Sequence, residues 1–210
     1  IKVPYIQFSW HGPSVPKDPT ATYAADVLSF ILSQPTSGFQ KRLVESGLTL
    51  GAGISYYTQA HVGPINLSAQ VPAENIEAAV RAMLAELQKL SHPEYCSDAQ
   101  LDNAKTILAV RDIYEREKTS SFAHNLSFWW ATADLDYYLN YIENLNAVTR
   151  EDIAKYVSDY ILDKPYVMGI LLSSEQKKEL NLSDAALAEM VKKIQQETAE
   201  NPTEDKGVSK

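Results

Sequence analysis

The chain reads as an α+β domain in which helices cover one face of a largely antiparallel sheet. Three observations predict this. Residues 3–10 alternate, with Ile6, Phe8 and Trp10 on one side and Tyr5, Gln7 and Ser9 on the other. Residues 65–71 repeat the pattern, setting Ile65, Leu67, Ala69 and Val71 against Asn66, Ser68 and Gln70. Elsewhere the apolar residues recur every three to four positions, the period of a helix packed on one side.

Taken in order, the first strand runs into a turn-rich loop from His11 to Pro19. Tyr23/Ala24, Val27/Leu28 and Ile31/Leu32 then mark a helix that breaks at Gln34-Pro35-Thr36-Ser37-Gly38. A short helix over 39–46 stops at Gly47, the residue type that most easily takes a left-handed C-terminal position. Residues 53–60 and 65–71 form two strands, with Gly63-Pro64 at the turn between them. Pro72 opens a helix that buries Ile76, Val80, Met83, Leu84, Leu87 and Leu90. Ser97 and Gln100 have the spacing of a capping box for a helix reaching about Lys118. Residues 119–145 read as helical and rich in aromatics, and Thr149 caps a further helix carrying Ile153, Tyr156, Val157 and Ile161. Residues 166–172 are nearly uniformly apolar, the pattern expected of a central buried strand. The compact domain is expected to span 1–174. Over 175–210 we expect one weak amphipathic helix (Leu187, Met190, Val191, Ile194) and a polar, disordered tail from Glu197.

Composition excludes several functions. With a formal charge of −8 over 210 residues, the chain lacks the basic stripe that displaces counterions from nucleic acid or docks on anionic membrane. It has no apolar run long enough for a membrane span and no signal peptide. The chain begins Ile1-Lys2-Val3 without an initiator Met and reads as a fragment or a processed piece. The single cysteine, Cys96, rules out an internal disulfide and any multi-thiolate zinc site. None of the four histidines has a second histidine on the same helical face with a carboxylate between them, as a zinc hydrolase requires. His92, Glu94 and Cys96 cluster on an inter-helix loop and read as a polar lead-in to the Ser97 cap. No Gly-x-Ser-x-Gly elbow and no phosphate-binding glycine loop is present. The residues alone therefore show no catalytic machinery.

As an ordered whole, however, the chain resembles the pitrilysin/insulinase-type zinc metallopeptidases. The matching segments are IQFSWHGPSVPKDPTATYAADVLSFILS, then SGFQKRLVESGL before the strand pair, and later the helix start Val148-Thr149-Arg150-Glu151-Asp152 followed by YVMGILL. Such peptidases are built from two homologous halves that enclose a peptide, one of which carries an inverted His-x-x-Glu-His zinc helix. That motif has no counterpart here, so the resemblance is to the zinc-free, C-terminal-type half. It implies a metallopeptidase-half architecture, no cofactor in this chain, zinc on a homologous partner half, and a peptide substrate held as an added strand at a sheet edge. A periplasmic or cell-envelope location is implied by the resemblance alone, and the cytoplasm remains open.

In many such halves an Arg and a Tyr around the Gly-Leu turn reach the substrate carbonyl. Placing Gly47-Leu48 on that turn puts Leu43 and Leu50 at those positions. Arg42, Tyr56 and Tyr57 are the nearby candidates for substrate contact, and Phe128, Trp129 and Trp130 for a partner interface. Two alternatives stay open: a catalytically inactive structural or assembly subunit on the same fold, and a peptide-binding module whose site is the Trp129/Trp130 surface.

Overall fold

The alternation in the first strand is realised as β1 (Tyr5–His11), which buries Ile6, Phe8 and Trp10. A computed structural model describes residues 1–200, with side chains through Glu197; of the disordered tail expected from Glu197, residues 197–200 instead continue a helix and the rest lies outside the described residues. β1 lies between β3 (Pro64–Gln70) and β4 (Tyr166–Leu171), and β2 (Gly51–Tyr56) flanks β3. The order is β2-β3-β1-β4, and every pairing is antiparallel. Register follows the sequence pattern: Phe8 sits opposite Leu67 and Met168, and Ser9 opposite Asn66 and Val167. One face is therefore apolar throughout, and a one-residue slip would turn it outward.

Helices close that apolar face. Asp18 caps α1 (Pro19–Ser33) by accepting from Ala21 N at 3.1 Å, and Pro19 supplies a pre-set φ in the first turn. α1 carries Ala24, Val27, Leu28, Ile31 and Leu32 into the core and packs on β2, α4 (Asp98–Glu117) and α8 (Arg150–Tyr160). The Tyr160 hydroxyl donates to Asp18 at 2.8 Å, tying the end of α8 to the start of α1. The Ser97–Gln100 capping box opens α4, and a second box between Thr149 and Asp152 opens α8. Each satisfies backbone N–H groups that the helix cannot, an effect of about 1 kcal/mol.

Two expectations change. The apolar run in β4 predicts a central strand, but among the described residues β4 is an edge that pairs only with β1. Tyr166, Met168 and Ile170 pack against the core while Val167 is 75% and Leu171 58% exposed. The run is apolar on both sides although only one side is covered. The expected helical stretch over 119–145 divides into α5 (Thr119–Thr132), α6 (Leu135–Leu139) and α7 (Tyr141–Ala147). Ala133 leaves helical geometry, and Asp134 re-caps the chain by accepting from Tyr137 N at 2.7 Å.

Past Ser174 the chain forms α9 (Ser174–Glu179) and α10 (Asp184–Glu200). α10 lies on α3 (Ile76–Leu90), with Val191 and Ile194 buried in the same core as β1 and α1. Arg81 on α3 pairs with Glu197, and Gln195 donates to the Tyr166 hydroxyl at 2.9 Å.

Candidate functional site

The Gly-Leu turn is built from the short helix α2 (Gly38–Gln40), which Ser37 caps and which widens into a π turn over Lys41–Glu45. Gly47 ends it at φ +77, a value that side chains with a Cβ rarely adopt. Thr49 fastens the exit, its backbone N–H and its hydroxyl each donating to Leu43 O at 2.8 Å. Gln40 reaches across to Ala52 O on the edge strand β2 at 3.2 Å.

Of the two positions expected to face substrate, Leu43 is wholly buried in the core and Leu50 is 59% exposed at the start of β2. Arg42 points elsewhere. Its guanidinium makes a forked contact with Glu86 on α3, Nη2 donating to Oε2 at 2.6 Å and Nε to Oε1. It also lies over the Tyr95 ring, 5.6 Å from the centroid. Tyr95 donates to the same Glu86 oxygen at 2.8 Å, so the buried carboxylate is held from two sides. A Cβ on Gly38 would come within 2.6 Å of Arg42 Nη2, so this packing needs glycine there. The Glu86 contacts hold the Arg42 guanidinium more basic than usual, and burial raises the Tyr95 hydroxyl. In this arrangement Arg42 pins the turn to α3.

The two tyrosines diverge. Tyr56, still on β2 opposite Ile65, is half-buried and donates to Pro13 O at 2.9 Å. Tyr57, just past the strand, is 55% exposed, and its ring centre lies 6.2 Å from that of Phe128. The structure thus joins Tyr57 to Phe128 and Trp129, which the sequence places far apart. Together they line a cavity of about 430 Å³ with Asp26 of α1, Arg111 and Glu115 of α4, and Tyr138 and Tyr141 of α6 and α7. Sequence reading missed Asp26, because its depth depends on four helices folding around it. The Tyr141 hydroxyl donates to Asp26 Oδ2 at 2.9 Å. Burial pushes the Asp26 carboxyl up to about 6, against the opposing effects of Tyr141 and Arg111. Trp130 turns away and is 72% exposed, on the same hairpin as the exposed Ile107, Val110 and Tyr114 of α4.

On the other side of the sheet, no helix among the described residues covers the polar face. Gln7, Ser9 and Asn66 bond to one another there, Ser9 donating to Asn66 at 2.7 Å and Gln7 to both at 2.9 and 3.1 Å. Gly51, Gly53 and Gly169 have open space where a Cβ would stand. The result is a face of small and amide side chains bordered along β4 by the exposed Val167 and Leu171. Among the described residues, no group of three His, Cys, Asp or Glu lies close enough to hold a metal ion, and no helix is long and apolar enough to cross a membrane.

A family model described as the Peptidase M16 inactive domain matches residues 1–108. The chain belongs to the M16 peptidase family. Solved structures share the fold of this M16 domain well beyond the matched segment. A protease from Helicobacter pylori superposes with a TM-score of 0.71 at 20% identity, over 82% of this chain and 42% of its own. A Bordetella pertussis protein described as a zinc protease gives 0.72 at 18% identity, over 81% of this chain and 94% of its own. An inactive peptidase domain from Bordetella parapertussis gives 0.70 at 16%, over 83% and 92%. The M16 domain thus spans less than half of the Helicobacter chain and nearly all of the Bordetella ones. Comparison with curated proteins yields no sequence match.

Proposed function

We propose that this M16 domain is the zinc-free wall of a two-half metallopeptidase, enclosing a peptide for hydrolysis by a homologous half that carries the zinc. The observation that carries this is the one-sided sheet. A four-stranded sheet with its apolar face fully sealed by helices leaves its other face bare, and that face is lined with Gln7, Ser9, Asn66 and Ser68 and with glycines. Short amides and hydroxyls meet a peptide backbone of any sequence, which suits a chamber wall better than a selective pocket. Leu50, exposed at the start of β2, is the side chain of the turn left free to touch such a peptide. The partner would supply both Lewis acid and general base, so this half contributes enclosure and positioning. The exposed hairpin of α4 and α5, with Trp130 at its surface, is the proposed contact with that partner.

The test is cleavage of a quenched peptide library by the full assembly, with and without chelator and with and without this half. Chelator-sensitive cleavage that disappears when this half is withdrawn supports the proposal; cleavage that continues without it sinks it. A second reading, an assembly subunit without peptidase function, is favoured by one observation: Leu43 is committed to the core and Arg42 to Glu86, so the turn presents no free arginine there. An assembly that forms with this half and cleaves nothing would select it.

A further inference from the structure

The carboxylates around the aromatic cavity are unequally matched. Glu115 holds Arg111, whose Nε lies 3.0 Å from Oε1, and accepts from Asn125 at 2.9 Å. Asp112 faces Arg116 Nε at 2.7 Å, a charge contact whose angle is too bent for a hydrogen bond. Among the described residues Asp26 has no cation within ion-pair distance, and Arg111 acts on it only at longer range. Among the described residues its hydrogen bond comes from the neutral Tyr141 hydroxyl, which occupies one oxygen and leaves the other without a donor. Tyr138 borders the same space. A carboxylate drawn this far into the fold ordinarily has a cation against it, which raises the question of what pairs Asp26.

We propose that this cavity binds the guanidinium of an arginine side chain from another polypeptide segment. A guanidinium is planar, with donors in a fork around its rim, so it bonds a carboxylate in its plane while stacking its face on an aromatic ring. Asp26 supplies the carboxylate, and Tyr57, Phe128 and Trp129 the flat walls. An ammonium would answer the charge but not the stacking. The raised affinity of Asp26 for a proton marks a charge that burial disfavours and an incoming cation would relieve. At longer range the chain's −8 charge draws basic ligands. The inside competitor is Arg111, which would close the site if it swung from Glu115 to Asp26. This inference rests on the cavity alone and stands apart from the two-half reading.

The test titrates N-acetyl-arginine amide into the full chain near neutral pH and follows the Trp129 indole N–H by NMR, assigned with Trp129→Phe. A saturable shift is expected. N-acetyl-citrulline amide, equal in shape but uncharged, should bind at least about tenfold more weakly, and so should arginine amide to Asp26→Asn. Equal binding of citrulline, or no saturable shift in the native chain, overturns the proposal. Repeating the titration with the zinc-bearing half bound separates the two sources: a blocked site assigns the arginine to the partner, an open one to a free peptide, and both support the site.

Discussion

Asp26 shows how a single side chain records what surrounds it. Its carboxyl sits at about 6 instead of the ordinary 3.8, so the folded state disfavours its charge. The sign follows: the raised value means the folded chain holds this proton more tightly, so the cost is full above pH 6 and fades as pH falls toward 4. Asp26→Asn should therefore stabilise the protein above pH 6, by at most about 3 kcal/mol for a two-unit shift and less because the cavity is partly wet. Below pH 4 the two proteins should converge. Urea melts at several pH values check this, and a variant less stable than the native chain at pH 7 would contradict it. Asn can still accept from the Tyr141 hydroxyl, so that hydrogen bond is not what the substitution reads. Arg42 teaches a complementary lesson. Its place beside the Gly-Leu turn suggests a substrate contact, yet Glu86 and Tyr95 occupy its guanidinium. Nothing near Arg42 in sequence announces Glu86, because the pair forms only when α3 folds back across the turn.

At the scale of elements, what was legible depended on whether the signal was local. The capping box at Ser97, the cap at Thr149, the stop at Gly47 and the alternation of β1 and β3 are all present in a few consecutive residues, and all appear as expected. The edge position of β4 is set by how many strands lie beside it, and an apolar run carries no information about that. The aromatic cavity was hidden for the same reason, since Asp26, Tyr57 and Phe128 come from three separate elements. α10 is a further case: its stripe is too short for an isolated helix to persist in water, and docking on α3 gives it a core to share. Ile194, wholly buried, is the anchor. Ile194→Ala should cost about 2–4 kcal/mol and lower the urea midpoint with little change in slope. A loss under about 0.5 kcal/mol, the range of ordinary surface substitutions, would mean α10 is a passenger.

For the molecule as a whole, the sheet divides the chain into a sealed side and a bare side, and the two serve different ends. The sealed side holds Phe8, Leu28, Phe39, Leu67 and Met83 out of water and supplies the stability. The bare side carries no comparable load, which leaves its residues free to serve a ligand, and its limit is β4. Along that outermost strand the backbone has a neighbour on one side only, and Val167 and Leu171 stand out beside it. A strand open in this way is a template for any other strand, including a second copy of itself. Purified alone, the chain should self-associate through β4 in a concentration-dependent way. Val167→Lys places a charge on that edge and should suppress the association, seen as lower light scattering at high concentration with an unchanged melting temperature. The free edge would thus make solitude itself the hazard: this half keeps best in solution when another chain lies against it.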